Sequence, residues 1–241
     1  MANSFVTAAK KVLKTEADAL GKLKDDLPSD FSDLVKLILN LTGRVIVSGV
    51  GKSGHIGNKI AATLASTGTP AYFVHATEAS HGDLGMITEQ DLCLLISNSG
   101  ETIEMFDILT HARRFSIPIA TMSSNCESTL VKAANFKLCL PMVDEACPIG
   151  MAPTTSTTMM LALGDALAVA LMEAKSFNAE NFKVFHPGGK LGAKLMTVSQ
   201  LMHKDDTMPL VKTKTSMKET LLTMSTKGFG IAAIVDEIGS L

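Results

Sequence analysis

The chain has no tryptophan and a single tyrosine, and aromatic residues make up only 5% of its 241 residues. Single-stranded nucleic acids are held largely by stacking of their bases on aromatic side chains, so the sequence offers no platform for them. The formal net charge is −2, and the 22 basic residues are scattered rather than clustered. A nucleic-acid-binding domain carries a basic face. We therefore expect no nucleic-acid partner.

Cysteine is also scarce, and the four cysteines show no CxxC spacing of the kind that binds zinc. Cys93 and Cys139 fall within apolar runs that are predicted to be strands. Because cysteine in such a run behaves as a small apolar side chain, we expect buried free thiols. This expectation fits a reducing compartment.

Segments typical of export or membrane insertion are lacking as well. Residues 1–20 show an amphipathic helical pattern without the apolar core of a signal peptide. The most apolar window, 159–172, is interrupted by Asp165 and is shorter than the roughly 20 residues that a membrane span needs. We expect a cytoplasmic protein with no membrane partner.

A glycine-rich turn between a strand and a helix is the most informative feature of the sequence. Residues 44–58 read RVIVSGVGKSGHIGN, and the apolar run Val45–Val47 is typical of a strand buried on both faces. A helical pattern follows, with apolar residues at Ile56, Ile60 and Leu64. Backbone N–H groups at such a helix start bind anions, so we expect a phosphate here.

Three kinds of phosphate site compete for this turn. A Walker A loop is excluded, because its first glycine would fall on Ile46, inside the strand. The glycines within Gly49–Gly54 match the dinucleotide fingerprint G-x-G-x-x-G, but the acidic residue expected after the second strand is replaced by His75. The third alternative is a phosphosugar site in which Lys52 touches the substrate. We favour it, because a second loop of related chemistry occurs downstream.

Strand and helix patterns alternate after two N-terminal helices, which we predict within residues 1–42. This alternation predicts an α/β fold with a parallel sheet and right-handed crossovers, and ligands bind such sheets at the carboxyl ends of the strands. The predicted strands are 44–48, 71–75, 91–97, 117–122 and 136–141, with helices at 54–67, 101–115 and 128–134.

Two hydroxyl-rich segments stand out. Residues Ser97–Thr102, directly after the third predicted strand, contain three hydroxyl side chains and a glycine, which serve either as helix caps or as an oxyanion cradle. Residues 153–158 open a long apolar helix, 153–174, with more hydroxyls than capping needs. Apolar residues on several faces of that helix predict burial in a subunit interface. A break at residues 186–192 predicts one domain over 1–196 and a second unit over 201–241.

These segments together resemble the sugar isomerase (SIS) domain and, more closely, the arabinose-5-phosphate isomerases, in which that domain precedes two cystathionine-β-synthase (CBS) repeats. The resemblance spans roughly residues 44–195 and implies a doubly wound five-stranded parallel sheet flanked by helices. Residues 201–241 resemble the start of a first CBS repeat, whose remainder is missing. The matching segments are GVGKSGHIGNKIAATLASTGTP, FVHATEASHGDLGMI, ISNSGETIE, EACPIGMAPTTSTT, GDALAVAL and FHPGGKLG.

The resemblance implies an aldose–ketose isomerase that interconverts D-ribulose 5-phosphate and D-arabinose 5-phosphate and feeds synthesis of the eight-carbon acid Kdo. It further implies a homotetramer that requires no cofactor. Motif matching assigns catalysis to Lys52, Glu104, Glu145 and His186, with His186 reaching a neighbouring subunit's site. The implied substrate-binding residues are Gly51, Ser53, Gly68, Thr69, His75, His81, Ser97, Asn98, Ser99, Gly100 and Thr102.

Moving a carbonyl between C1 and C2 needs a proton carrier and a group that neutralises the enediolate. Glu145 or Glu104 can carry the proton, and we expect a closed pocket to raise the pKa of such a carboxyl. Lys52 can stabilise the enediolate or hold the phosphate, and His186 can move protons between hydroxyls. Glu104 also has the simpler explanation of an acid in a helix's first turn.

Two further alternatives stay open. His75 and His81 fit no compact metal signature, and the resemblance implies only that stray zinc at His75 would inhibit. If the chain is not an arabinose-5-phosphate isomerase, we expect either a non-catalytic phosphosugar sensor with the same fold or another sugar-phosphate isomerase. A sensor would keep the cradle Ser97–Thr102 but would have no need of the four catalytic candidates.

Overall fold

The computed structural model describes residues 2–186 and 198–241. These residues form two compact units, one on either side of residues 187–197. The predicted break lies outside the described residues from position 187 onward, so the domain boundaries at 196 and 201 stay predictions. The two units are described separately.

The first unit is an α/β domain that begins with two helices, α1 (Ala2–Asp25) and α2 (Phe31–Leu39). Strands and helices then alternate. The strands are β1 (Val45–Gly49), β2 (Ala71–Phe73), β3 (Leu92–Ile96), β4 (Ile119–Ser123) and β5 (Phe136–Cys139). The remaining helices are α3 (Gly51–Ser66), α4 (Ala76–Ala79), α5 (Phe106–Arg114), α6 (Thr129–Ala133), α7 (Thr155–Ala174) and α8 (Ala179–Phe185).

The five strands form one parallel sheet in the order β2-β1-β3-β4-β5. Every residue of β1, β3 and β4 is buried, as their continuous apolar runs predict. Alternate strand residues point to opposite faces, where Val45 and Val47 join one apolar core and Ile46 joins another. Helices α1, α2, α3 and α7 cover the first core, and α4, α5 and α6 cover the second. The predicted doubly wound sheet is confirmed.

The order of the strands reverses between β1 and β3. From β1 the chain moves outward to β2, and it then returns to the other side of β1 to form β3, β4 and β5. At such a reversal the loops after the two central strands diverge to opposite faces and leave a crevice between them. The crevice at the carboxyl ends of β1 and β3 is therefore the expected ligand site.

Helix α7 packs along α3 with the same direction. Residues later in α7 contact residues later in α3, as expected for parallel helices: Met160 meets Ser53, Gly164 meets Ile60, and Lys175 just after α7 meets Thr69 just after α3. The starts of both helices therefore lie at the carboxyl edge of the sheet. Their positive dipole ends converge there.

The apolar character of α7 is explained within the chain. The helix is long and apolar enough to cross a membrane, but half of the residues in its apolar window are buried inside this unit. Its buried residues pack in the core shared with α1, α2 and α3. A core helix passes the same test of length and composition, so the chain itself provides about half of the burial, and the predicted subunit interface stays a prediction.

Asp91 anchors the opposite, amino edge of the sheet. Its carboxylate is fully buried and accepts hydrogen bonds from the Arg44 backbone at 2.7 Å and from both the backbone and the hydroxyl of Thr88 at 2.8 and 2.9 Å. Burial by itself raises the pKa of Asp91, but these hydrogen bonds outweigh it and lower the pKa. The start of β1 is thus tied to the loop before β3.

The cysteines differ in part from the prediction. Cys93 in β3 is a buried free thiol, and burial raises its pKa to about 12. Cys139 lies in β5 as predicted, but it forms a disulfide with Cys126, with a Cα–Cα distance of 5.6 Å. β5 is an edge strand, so the half-exposed Cys139 reaches the loop after β4. The cysteines therefore no longer support the inference of a reducing compartment.

The second unit contains two parallel strands, Leu210–Lys212 and Ala233–Val235, joined by the helix Met217–Lys227. Ser216 and Glu219 form a reciprocal capping box at the start of that helix. A short helix, Val198–Leu201, precedes these elements. The assignment of this unit to a CBS repeat stays a prediction.

The close approach of α3 and α7 predicts opposite effects for two glycine substitutions. A Cβ atom at Gly164 would overlap Cδ1 and Cγ1 of the buried Ile60, whereas one at Gly21 in α1 would meet no atom within 4 Å. We expect Gly164→Ala to lower the free energy of unfolding by about 1–3 kcal/mol. We expect Gly21→Ala to raise it by up to about 1 kcal/mol, through helix propensity.

Urea denaturation of both variants measures these changes. Ile60→Val removes the Cδ1 atom, so it should recover part of the stability lost in Gly164→Ala. Equal stabilisation by both glycine substitutions would show that the two helices are not in close contact.

Candidate active site

The turn after β1 forms one wall of the crevice. Helix α3 begins at Gly51, three residues earlier than predicted, so Lys52 and Ser53 lie in its first turn. Gly51 has a φ of 58°, and a Cβ atom at Gly54 would come within 2.9 Å of the Gly49 carbonyl oxygen. The glycines thus allow the chain to turn directly from strand into helix. Lys52 is exposed beside the helix N-terminus, where its charge is available to an anion.

The loop after β3 forms the opposite wall and is held together by its own hydroxyl groups. Ser97 is buried, accepts a hydrogen bond from the Gly100 backbone at 3.0 Å and lies 2.7 Å from the Thr102 hydroxyl. Ser99 accepts one from the Glu101 backbone at 3.2 Å. Thr102 makes no helix-capping hydrogen bond. These bonds differ from those of a simple helix cap, and the role of the loop as an oxyanion cradle stays a prediction.

Glu104 follows this cradle in a short 3-10 turn, Ile103–Met105, and its side chain is exposed. Helix α5 begins only at Phe106, so Glu104 precedes the helix proper rather than lying in its first turn. Its carboxylate is thus carried by the same loop as the cradle.

Glu145 is held by the start of α7. One carboxylate oxygen accepts hydrogen bonds from the Thr154 backbone at 2.7 Å, the Thr154 hydroxyl at 3.0 Å and the Ser156 backbone at 3.3 Å. The other oxygen accepts a bond from the Ser156 hydroxyl. The hydroxyls of Thr154 and Thr155 also accept the Ala146 backbone N–H. The hydroxyl-rich start of α7 therefore holds the segment that carries Glu145.

The pKa of Glu145 is lowered, not raised as the sequence suggested. Burial by itself raises it, but the hydrogen bonds from Ser156 and Thr154 stabilise the ionised form and outweigh burial. The expected rise in pKa was wrong because the sequence does not show that Thr154 and Ser156 donate hydrogen bonds to Glu145. Glu145 is consequently a fixed carboxylate at the N-terminus of a long helix.

His75 and His81 lie beyond the carboxyl end of β2. His75 is half-buried and caps α4, with its Nδ1 atom accepting the Thr77 backbone N–H at 3.3 Å, while His81 is exposed after that helix. In the part of the chain that the structure describes, no group of three or more His, Cys, Asp or Glu side chains is arranged to hold a metal ion. Zinc at His75 stays a prediction.

Three predicted site residues lie away from this edge. Gly68 and Thr69 precede β2, so they lie at the amino edge, where Lys175 donates to the Gly68 carbonyl and the Thr69 hydroxyl. The ring of Phe177 packs against Gly68, and Phe185 lines a cleft that also contains Gly68. His186 follows Phe185 directly and stacks on Phe182. Within one chain, these residues are not brought together with Lys52 and the cradle.

The loop after β4 contributes residues that the sequence reading missed. Ser123 and Ser124 both bond to the cradle residue Asn98. They follow a predicted strand, so their place at the carboxyl edge was a signal that could have identified them.

Comparisons with known proteins agree with this geometry. A family model described as the SIS domain matches residues 38–170. The arabinose 5-phosphate isomerase KdsD of Yersinia pestis is 50% identical over 234 residues, which cover 97% of this chain and 71% of that protein. The KdsD of Pseudomonas aeruginosa is 48% identical over 238 residues, covering 98% and 73%. The chain belongs to the arabinose 5-phosphate isomerase family.

The similarity to known proteins also holds for the three-dimensional structure. The c3406 protein of Escherichia coli CFT073, in complex with arabinose 5-phosphate, is 39% identical and superposes with a TM-score of 0.74, covering 77% of this chain and 98% of that one. We expect the substrate site of this family member at the carboxyl ends of β1 and β3, where the strand order reverses.

The hydrogen bonds to Glu145 predict a pH-dependent loss of stability when Ser156 is changed. A carboxyl whose pKa is lowered on folding stabilises the native state above its unfolded pKa, and this contribution disappears as the pH falls through the folded pKa. Ser156→Ala removes a donor and moves the folded pKa upward. We expect about 1–2 kcal/mol less stability at neutral pH and a smaller difference from the wild type in acid.

Thr158→Ala is the matched control, because the Thr158 hydroxyl makes no hydrogen bond to Glu145 among the described residues. Urea unfolding at several pH values compares the two variants. Parallel pH curves for both would contradict the role of Ser156.

Proposed function

We propose that this protein interconverts D-ribulose 5-phosphate and D-arabinose 5-phosphate through a cis-enediol. The observation that carries the proposal is the reversal of the strand order between β1 and β3, whose carboxyl ends are followed by Lys52 and by the hydroxyl cradle. The names of the relatives in two organisms and the arabinose 5-phosphate bound to a 39% identical neighbour support the same substrate pair.

The phosphate is bound by the cradle Ser97–Thr102 and by the start of α3. Backbone N–H groups at a helix N-terminus and the Lys52 ammonium both favour an anion there. Binding at this remote group orients C1 and C2 of the sugar without taking part in bond making. The start of α7 adds a second positive helix end at the same edge.

The chemical step moves one proton from C1 of ribulose 5-phosphate to C2. A carboxylate takes the C1 proton, the electrons form the C1–C2 double bond of the enediolate, and negative charge develops on the C2 oxygen. The C2 oxygen then takes up the proton that the C1 hydroxyl releases, the C1–O bond becomes the aldehyde carbonyl, and the proton held by the carboxyl group is returned to C2. Lys52 neutralises the enediolate oxygen or holds the phosphate. Glu104 and Glu145 are the two candidate proton carriers.

The low pKa of Glu145 bears on this choice. A carboxylate that accepts four hydrogen bonds is a weak base, so it suits a fixed negative charge at neutral pH better than a proton donor. The exposed Glu104 has more freedom to move to the carbon. The exchange experiment below separates these roles.

No cofactor is required in this proposal, because enediol isomerisation involves no net oxidation. Zinc bound at His75 would act as an inhibitor rather than as a participant. The protein works in the cytoplasm, and its product supplies Kdo synthesis for lipopolysaccharide or capsule.

The active form is a homotetramer in which His186 completes a neighbouring subunit's site. His186 follows Phe185, which lines a cleft with Arg44 and Pro70 at the amino edge of the sheet. Lys52 lies after β1, at the other edge. A proton-shuttling role for His186 therefore requires a second subunit.

Solvent deuterium exchange tests the isomerase proposal. The wild type should incorporate deuterium into ribulose 5-phosphate and form arabinose 5-phosphate. Glu104→Gln should abolish both if Glu104 carries the proton. Glu145→Gln should then also slow both strongly, because the site loses the ionised carboxylate that the start of α7 holds in place.

Binding of ribulose 5-phosphate by the wild type with neither exchange nor conversion would overturn the enzyme proposal in favour of a phosphosugar sensor. Conversion to a different aldose phosphate would instead indicate another isomerase of the same fold. Glu127→Ala is a suitable control, because Glu127 is exposed and its ion pair is with Lys132.

Mixed oligomers test the shared site. Co-expressed Glu145→Gln and His186→Ala subunits, each inactive alone, should form hybrids in which roughly a quarter of the sites have both native residues. Hybrids of Glu145→Gln with Lys52→Ala should stay inactive, because both residues come from one subunit. Activity is measured on hybrids purified through two different tags.

Equal inactivity of the two kinds of hybrid would contradict a contribution of His186 across the interface. Recovery in both would show that Lys52 and Glu145 are themselves supplied by different subunits.

A further inference from the structure

The cradle loop is supported from outside by residues 123–130, which comprise the end of β4, the loop after it and the start of α6 and are called the supporting loop below. The Ser123 hydroxyl and the Ser124 backbone N–H both donate to the Asn98 carbonyl oxygen, at 3.0 and 3.2 Å. The Leu130 backbone donates to the Gly100 carbonyl at 3.2 Å. These bonds join the backbones of two neighbouring loops at the carboxyl edge.

Side chains add to this support. The Thr129 backbone N–H donates to the Glu101 carboxylate at 2.8 Å, so Glu101 caps the N-terminus of α6. A Cβ atom at Gly100 would overlap the Ser128 hydroxyl, which shows how closely the two loops approach. Cys126 in the supporting loop is bonded to Cys139 in β5. The supporting loop is therefore itself anchored to the sheet.

One contact in this network acts on a side chain that a ligand can reach. The Ser124 hydroxyl donates to Oδ1 of the exposed Asn98 at 2.8 Å. Among the described residues the Nδ2 group of Asn98 has no hydrogen-bond partner. An amide group whose oxygen is occupied presents its two N–H donors on the other side. Those donors are suited to an anion or a sugar hydroxyl.

We propose that Ser124 is a positioning residue, which holds the Asn98 amide so that its N–H donors face the phosphate or the adjacent hydroxyl of the substrate. Without the Ser124 hydroxyl the amide is free to rotate and to present its oxygen, which an anionic ligand repels. The inference rests on the proposed function, because it takes Ser97–Thr102 as the phosphate-binding loop.

The effect should appear in binding rather than in chemistry. Ser124→Ala is expected to raise KM for ribulose 5-phosphate about tenfold, the value of one hydrogen bond in orienting the amide. kcat should change by less than about twofold, because the reacting carbons are not touched. Ser124→Thr retains the hydroxyl and should restore KM, whereas the exposed Glu127→Ala in the same loop should leave it unchanged.

A double-mutant comparison tests whether Ser124 acts through Asn98. Asn98→Ala should raise KM at least as much as Ser124→Ala, and the double variant should be no worse than Asn98→Ala alone. Additive losses in the double variant, or failure of Ser124→Thr to restore KM, would overturn the proposal and leave Ser124 with a structural role.

Direct binding separates this inference from the isomerase proposal. Titration calorimetry with inorganic phosphate and with ribulose 5-phosphate measures Kd without turnover. If the wild type binds both but converts neither, the proposed reaction is wrong, and a tenfold weaker Kd in Ser124→Ala still supports the positioning role. Equal Kd values for Ser124→Ala, Glu127→Ala and the wild type would overturn it.

Discussion

Gly164 of α7 lies against Ile60 of α3, and this close approach allows the two helices to run side by side in the same direction. Because both begin at the carboxyl edge of the sheet, two positive helix ends meet the loops after β1 and β3. A larger residue at position 164 would separate the helices and move the start of α7. The place of Glu145 would move with it, since that carboxylate is bonded to Thr154 and Ser156.

The site combines rigid and accessible groups. Glu145 is fixed by hydroxyl and backbone donors that lower its pKa, while Lys52 at the start of α3 and Glu104 and Asn98 after β3 have exposed side chains. An isomerase needs both kinds of group, because groups that orient the substrate must be in place beforehand and the proton carrier must reach two adjacent carbons. The structure assigns the fixed position to Glu145.

Much of the first unit was predictable because its signals are local. Continuous apolar runs indicated the strands of a parallel sheet, and the glycine turn at Gly49–Gly54 and the hydroxyls of Ser97–Thr102 followed two of them directly. The direction of the Glu145 pKa shift was predicted wrongly, since its donors lie nine and eleven residues further along the chain. The disulfide of Cys139 was missed because its partner comes from a different loop.

The sequence by itself determined the alternation of strands and helices, the residue types at the carboxyl edge and the family to which the chain belongs. These follow from periodicity and from contiguous motifs, which need no knowledge of the fold. Only the tertiary structure decided that Gly68, Thr69 and His186 lie away from Lys52, that one half of α7 is buried against its own chain and that Ser124 meets Asn98. The physical reason is that strand order and helix packing, not sequence distance, determine which side chains share an edge of the sheet.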